Sequence, residues 1–379
     1  MLPRKSGLNE RRLSHSSLQA QTRWSLASPP KPSDPKVPAI SLSEARSARW
    51  SIGSVDIDGR VIAAPMAGVS DQPYRRLARR YGAALAVTEM VSASPDLQHS
   101  RKSRQRTTHN GERDPVSVQL LGADPQHMAD AARANVDRGA QIIDINLGCP
   151  TKKVCKRLVG SALMKDEPLV QKILESVVKA VSVPVTLKMR TGWDRQNKNA
   201  AVIAKMAEQA GIQALTVHGR SRECRYHGPI DYETIAWVKA TVSIPVIANG
   251  DIDSPAKAVT VLEKTGADAV MIGRAAQGQP WLLSRLNEAL NNGKDPGEPD
   301  LMEKQKTVLW HLKALHEFYG TEQGIRIARK HVQWYAEKLN APDSFRRAFN
   351  EAQTPNAQHQ LLNALFEQLA DQNSTDEHD

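Results

Sequence analysis

A cysteine that follows a short apolar segment is the residue best placed to do chemistry in this chain. Residues 142–147 are apolar except for Asp144 and Asn146, and a glycine and a proline then end the segment abruptly. Cys149 therefore stands just past the carboxyl end of a predicted buried strand. A single cysteine is often only a small core residue, but the flanking Gly and Pro and the two lysines that follow favour a functional thiol here.

Around this cysteine, apolar segments of strand length alternate with amphipathic segments of helix length. Several helical segments begin with Asp or Ser beside Pro, which is typical of helix N-termini. Eight alternations over about 220 residues predict an α/β fold of the (β/α)8 TIM-barrel type, with a doubly wound open sheet as the alternative. The predicted strands are 61–67, 84–91, 116–121, 142–147, 185–189, 214–217, 245–248 and 269–272, and the predicted helices are 71–81, 125–138, 168–181, 200–210, 232–240 and 255–265.

Polar residues stand at the carboxyl end of nearly every predicted strand, where such barrels carry their chemistry. Asn249-Gly250 and Gly273-Arg274 follow strands seven and eight, which commonly bind phosphate in this fold. Glycine lets backbone N–H groups approach an anion, and Arg adds a bidentate charge. Each pair alone fits an ordinary turn, but together they predict a phosphorylated cofactor.

The other strand ends favour FMN as that cofactor. No Gly-x-Gly-x-x-Gly follows a strand, which argues against a Rossmann-type dinucleotide site. The 63–68 segment supplies flat backbone and a polarizable Met that can lie against a ring system. Lys188 could neutralise a reduced flavin, Gln119 could hydrogen-bond the same edge, and His218 would face the same cavity. Taken singly, Lys188 also fits a solvated strand end and His218 a capped core histidine.

Taken together, the barrel motifs resemble those of the tRNA-dihydrouridine synthases, most closely the bacterial B-type, over residues 55–339. Cys155 is a departure, because a non-thiol residue is expected there, but it lies outside the matched motif. The resemblance implies that Cys149 is the proton donor and that Asn146 lies near the target uracil. The motifs are 64–68, 146–150, 187–193, 217–220, 248–251 and 271–274, and the residues implied to hold FMN are Pro65, Met66, Ala67, Gln119, Lys188, His218, Asn249, Gly250, Asp251, Gly273 and Arg274.

The reaction that this resemblance implies is reduction of the C5=C6 bond of a uridine in the tRNA D-loop. Hydride passes from the reduced flavin to C6, and C5 receives a proton from Cys149. A thiol suits that task, because it is mostly protonated near neutral pH yet acidic enough to donate. The family implies NADPH as reductant, with NADH also possible, and the B-type likeness suggests tRNA position 17. The alternatives are a flavin barrel that acts on a free pyrimidine, as in dihydroorotate dehydrogenases, and a non-catalytic RNA-binding barrel.

The charge of the chain fits an RNA partner. It carries a formal net charge of +10 and a pI near 9.5, and basic clusters at 101–106, 152–157 and 220–225 all follow predicted strands. Any one cluster fits a solvated loop, but three around one opening predict a phosphate-binding rim. Trp193 and Tyr226 could stack on bases or pack on the barrel. The residues predicted to contact substrate or RNA are Asn146, Lys152, Arg190, Arg220, Arg326, Arg329 and Lys330.

Strand signals end near residue 281, and a linker at 291–297 leads into helical segments. On the second of these, Arg326, Arg329 and Lys330 share one face, which is either a salt-bridged surface or, by the resemblance, a tRNA contact. We therefore expect a barrel at 51–290, a small all-α tRNA-binding domain at 298–372 and a tail at 373–379. The predicted helices are 302–319, 324–339, 343–352 and 357–370.

The first 50 residues are basic, rich in Pro and Ser, and without an apolar period, which predicts disorder. A transit peptide, a misassigned start and an RNA-tethering tail are alternatives for this segment. Three cysteines without zinc spacing predict no metal site and suit a reducing compartment. Because no apolar run is long enough for a membrane span, we expect a cytoplasmic monomer with tRNA and NADPH as partners.

Overall fold

The computed structural model describes residues 50–98, 100–155 and 158–376. Residues 1–49 of the predicted N-terminal extension lie outside the described residues. The last three residues of the predicted tail, 377–379, also lie outside them. None of the helices in the described part of the chain is both long and apolar enough to cross a membrane.

Within the described residues, nine strands form one parallel sheet that closes into a barrel. Two short strands, β4 (Leu85–Ala86) and β5 (Val91–Ser92), share the second barrel position. Strand β4 pairs with β3 (Val61–Ala63), and β5 pairs with β6 (Ser117–Leu121). Between them Val87 forms a parallel bridge to Ser117. The predicted (β/α)8 barrel is thus confirmed, and the open-sheet alternative is wrong. The strands are β3 Val61–Ala63, β4 Leu85–Ala86, β5 Val91–Ser92, β6 Ser117–Leu121, β7 Ile142–Leu147, β8 Val185–Arg190, β9 Ala214–His218, β10 Val246–Asn249 and β11 Ala269–Ile272.

A β-hairpin that the sequence analysis missed fills the amino-terminal end of the barrel. Strands β1 (Trp50–Ile52) and β2 (Val55–Ile57) pair antiparallel. Ile52 and Ile57 are buried in one hydrophobic cluster with residues from six of the barrel strands. In the described residues, apolar side chains fill this end, which leaves the carboxyl end of the barrel to hold a ligand.

Helices surround the barrel, and several begin at a capping residue of the predicted kind. Asp71, Asp124 and Ser254 each accept a hydrogen bond from a backbone N–H in the first turn, with Pro within the first two helical positions. Six of the ten helices in this part of the described chain were predicted, and the three short ones and the last were not. The helices are α1 Gln72–Arg80, α2 Pro95–Gln98, α3 Arg101–Arg106, α4 Pro125–Val136, α5 Lys152–Cys155, α6 Glu167–Ala180, α7 Ala200–Ala210, α8 Tyr232–Thr241, α9 Pro255–Thr265 and α10 Leu282–Asn292.

The carboxyl-terminal helices pack around a hydrophobic core of their own. Phe345, Phe349 and Phe366 lie in this core together with Trp281, which directly precedes α10. All four helices expected here are present, while the exact division into domains stays a prediction. They are α11 Leu301–Tyr319, α12 Thr321–Lys338, α13 Asp343–Glu351 and α14 Pro355–Asp376.

A buried polar cluster joins this helical region to the barrel. The Tyr319 hydroxyl donates to Asp71 at 2.9 Å, and Nδ1 of His311 lies 3.0 Å from the Tyr335 hydroxyl. Asp71, His311 and His331 place one possible metal-ligating atom each within 4.8 Å of one another. Because Tyr319 and Tyr335 already pair with two of the three, we interpret the cluster as a polar junction between helices.

Candidate active site

A cavity of about 410 Å³ opens at the carboxyl ends of the barrel strands. This volume lies in the range of small-molecule sites, roughly 300 to 1,000 Å³. Asn146, Cys149 and Arg190 line it together with every residue that was predicted to hold FMN. Those residues are Pro65, Met66, Ala67, Gln119, Lys188, His218, Asn249, Gly250, Asp251, Gly273 and Arg274.

The loop that carries Cys149 is held from three sides. The backbone N–H groups of Gly148 and Cys149 both donate to Oδ1 of Asn146, at 3.0 Å each. The Cys149 carbonyl accepts a 2.8 Å hydrogen bond from the Ser161 hydroxyl, and the Gly148 carbonyl accepts one of 2.7 Å from Nε of Arg190. The Cys149 residue is only 9% exposed. These contacts fix the thiol at the cavity wall, where it can donate a proton to a bound molecule.

Two further side chains lie against the same loop. The Thr151 hydroxyl is 3.4 Å from Sγ of Cys149. Cys155 is buried beneath the loop, with its Sγ 3.7 Å from the Cys149 carbonyl and 3.6 Å from the Ser161 hydroxyl. Cys155 is not one of the residues that line the cavity, so of the two thiols Cys149 is the one that faces a ligand.

A buried chain of hydrogen bonds orients the amide groups beside the thiol. The Thr186 hydroxyl and Nε2 of Gln119 donate to the two oxygens of Asp144, at 2.6 and 2.7 Å. Nδ2 of Asn146 in turn donates to Oε1 of Gln119 at 2.6 Å. Burial raises the pKa of Asp144, and the hydrogen bonds from Gln119 and Thr186 oppose that rise. Asp144 and Thr186 are not among the residues predicted from sequence, although a carboxylate inside a buried apolar strand is a signal for a polar role.

Lys188 supplies a cation to the cavity wall. Desolvation lowers the pKa of its ammonium group to about 8, and Arg190 adds to the effect while Asp144 opposes it. Nζ donates to Oδ1 of Asn249 at 3.2 Å, and Nδ2 of Asn249 donates to the Met271 carbonyl at 2.8 Å. Because most of the group is still protonated at pH 7, it presents a charged hydrogen-bond donor to a ligand.

His218 is a neutral member of the same wall. Burial and the positive charges of Lys188, Arg190, Arg220 and Arg274 hold its pKa well below the usual value. At pH 7 one ring nitrogen is therefore a donor and the other an acceptor. The imidazole can orient a polar substrate edge, but it does not add charge.

Asp251 joins two arginines at the phosphate end of the predicted site. Its carboxylate accepts from Arg220 at 3.0 Å and from Arg274 at 2.8 Å, and these charge-assisted hydrogen bonds lower its pKa. The backbone turns sharply here, with φ of +140° at Gly250 and +44° at Asp251. A Cβ at position 250 would lie 2.9 Å from the Ile230 side chain, so the turn requires glycine.

Two of the predicted RNA contacts are buried. Arg190 is 1% exposed and Arg220 is 4% exposed. Arg190 donates to carbonyls in the 221–225 loop, and Arg220 donates to the Gly228 carbonyl as well as to Asp251. These side chains support the rim loops from below, and neither extends outward in this structure.

The basic residues of α12 have different surroundings and do not form one free face. Arg326 is exposed, while Arg329 donates to the Ala352 carbonyl at 3.2 Å and Lys330 donates to the Gly68 carbonyl. Lys152 begins α5, and its side chain is outside the described structure. An RNA contact by any of these residues stays a prediction.

An exposed aromatic ring stands at the cavity mouth. Tyr226 is 47% exposed and lines the cavity. The guanidinium carbons of Arg274 and Arg190 lie 5.0 and 5.5 Å from its ring centroid. The ring is thus held by cations at a position where a base could stack.

Comparison with known proteins assigns the chain to a family. The dihydrouridine synthase family model matches residues 61–371. The chain is 55% identical over 315 residues to tRNA-dihydrouridine synthase B of Pseudomonas aeruginosa. The aligned region covers 83% of this chain and 95% of that protein. It is 54% identical over 319 residues to tRNA-dihydrouridine synthase B of Vibrio vulnificus. That aligned region covers 84% of this chain and 99% of the Vibrio protein.

Among solved structures the likeness is limited to the fold. A 2-naphthoyl-CoA reductase complex matches with a TM-score of 0.52 and 13% identity, over 66% of this chain and 53% of that one. The 6-hydroxypseudooxynicotine amine oxidase of Pseudomonas geniculata matches with a TM-score of 0.51 and 14% identity, over 67% of this chain and 50% of that one. On the family match and the identity to these relatives, the chain belongs to the dihydrouridine synthase family.

Proposed function

We propose that this protein is a tRNA-dihydrouridine synthase that reduces the C5=C6 bond of a uridine in tRNA. The observation that carries the proposal is the shared cavity, in which Cys149 lies on one wall with Gln119 and Lys188. The family membership and the relatives named tRNA-dihydrouridine synthase B support the same reaction.

The chemistry of the cavity donors fits FMN as the cofactor. Lys188 and Gln119 offer a cation and an amide that suit the polar edge of a flavin ring. In the same cavity, the Arg274 guanidinium and the glycine turn at 250 suit a phosphate. Met66 adds a polarizable surface to the cavity lining. We therefore assign FMN to this cavity, with the residues named above as its binding set.

Cys149 is the proton donor in this proposal. When bound, reduced FMN supplies the hydride that C6 of the uracil receives. The Cys149 thiol then gives its proton to C5. The hydrogen bond that the Cys149 N–H donates to Asn146, together with those that the loop accepts from Ser161 and Arg190, holds the loop in place. Lys188 and neutral His218 can orient polar groups of the ligands.

The target base has to leave its stack to enter the cavity, which costs a few kcal/mol. The net charge of +10 favours binding of the RNA backbone that offsets this cost. We propose a D-loop uridine, with position 17 as the specific target, NADPH as the reductant, and action of the protein as a monomer in the cytoplasm.

An absorbance experiment tests the proposal directly. The purified protein should show a flavin spectrum that bleaches with NADPH and recovers under anaerobic conditions when unmodified tRNA is added. Recovery at comparable rates with free uridine or orotate would favour the free-pyrimidine alternative. A colourless protein that FMN does not reconstitute would refute both the cofactor and the enzymatic function.

The Cys149→Ala variant tests the proton donor. It should keep its flavin and its reduction by NADPH, while turnover with tRNA falls about 10²- to 10⁴-fold, the usual cost of losing a general acid. Cys155→Ala is the matched control, because that thiol lies beside the same loop and does not line the cavity. Equal turnover of Cys149→Ala and the parent protein would remove Cys149 from the mechanism.

A further inference from the structure

One turn in the cavity wall is held by both the barrel and the helical region. Met66 and Ala67 line the cavity and lead into Gly68, whose φ is +72°. The Gly68 N–H donates to Oε1 of Glu89 at 2.5 Å, and the Gly68 carbonyl accepts from Nζ of Lys330. The barrel therefore binds the N–H group of Gly68, and α12 binds its carbonyl group.

The surroundings of Lys330 suit this contact with the barrel. Its pKa is lowered by desolvation, while the carboxylates of Asp71 and Glu89 oppose that effect. Its Nζ lies 5.5 Å from the centroid of the Trp334 ring. A Cβ built on Gly68 would lie 3.1 Å from Nζ, so the ammonium group lies directly against the turn and faces negative charge on the barrel side.

We propose that Lys330 is a positioning residue that couples the helical region to the flavin-binding wall through Gly68. The inference rests on the proposed function, because it assumes that Met66 and Ala67 contact FMN. In this arrangement Lys330 keeps the 66–68 turn against the cofactor, and RNA bound to the helical region can influence the cofactor through the same contact. The role differs from the RNA contact expected from sequence.

Flavin release from the holoprotein, measured without tRNA, distinguishes the two roles. Lys330→Met keeps the aliphatic length and removes the charge. It should release flavin about fivefold faster after dilution, the factor that corresponds to about 1 kcal/mol for one hydrogen bond. Lys338→Met is the matched control, because it makes the same change at an exposed lysine two turns later on the same helix and should leave release unchanged. Lys330→Arg, which keeps a charged donor, should restore part of the parental rate.

The second measurement is a double-mutant cycle with Glu89→Gln, which alters the other peptide contact of Gly68. If both side chains act on the same turn, the double variant should show a smaller fold-increase in the rate of flavin release than the product of the fold-increases of the two single variants. Multiplicative effects, or a Lys330→Met variant that changes only the KM for tRNA, would overturn the proposal. A protein that binds no flavin at all would instead overturn the proposed function, so the two failures are distinguishable.

Discussion

Replacing Asn146 with Ala should disable Cys149 without touching it. The substitution removes one hydrogen bond to Gln119 and the shared acceptor for the N–H groups of Gly148 and Cys149. At about 1 kcal/mol for each of three bonds, we expect a loss of about 3 kcal/mol in the free energy of unfolding. A thiol that shifts by about 1 Å should slow the proton transfer about 10²-fold.

The assay is single-turnover oxidation of pre-reduced protein by saturating tRNA, followed by flavin absorbance. Thr151→Val is the control, because it removes only the polar contact with Sγ and should cost less than tenfold. If Asn146 acts only by placing the thiol, Asn146→Ala combined with Cys149→Ala should be no slower than Cys149→Ala alone. A variant that keeps its flavin and the parental rate would refute this reasoning.

Two pH dependences follow from shifted pKa values. The pKa of Lys188 is lowered to about 8, so its positive charge is present at pH 7 and is lost as the pH rises through 8. FMN affinity, measured by fluorescence titration, should therefore weaken between pH 7 and 9. The Lys188→Met variant should show little of that pH dependence. Burial lowers the pKa of His311 from 6.5 to about 3 in the folded protein. Below pH 6.5 the unfolded chain therefore binds a proton at this histidine that the folded protein does not, and the folded state loses stability as the pH falls. The parent Tm should therefore drop more between pH 7.5 and 5 than that of His311→Gln, and equal drops would contradict the assignment.

The strands were predictable from sequence where one apolar run forms one strand. Strands β7 and β11 have the predicted bounds, because a parallel barrel buries both faces of each strand and leaves a continuous apolar signal. The predicted strand 84–91 is instead divided, since pairing passes from β3 to β6 within it. The hairpin of β1 and β2 was missed because three-residue strands carry too short a pattern.

The candidate site was predictable because the fold makes strand ends converge. Residues as far apart in sequence as Pro65 and Arg274 line one cavity once each is placed at a strand end. Burial was not predictable in the same way. Arg220 lies in a basic cluster whose sequence is typical of a solvated loop. Its guanidinium is nevertheless buried and donates hydrogen bonds to the Gly228 carbonyl and to Asp251. Those partners depend on how the loops fold back, and local sequence does not specify that.

The balance of charge around the cavity argues for an anionic ligand. Four cations surround His218 and together with burial lower its pKa, whereas the carboxylates that act on them are Asp144 and Asp251. Four cations against two carboxylates leave an excess of positive charge, and a positive potential in a low-dielectric cavity attracts anions. A phosphorylated cofactor and a tRNA backbone are both anions that could use this excess. The cations are Lys188, Arg190, Arg220 and Arg274.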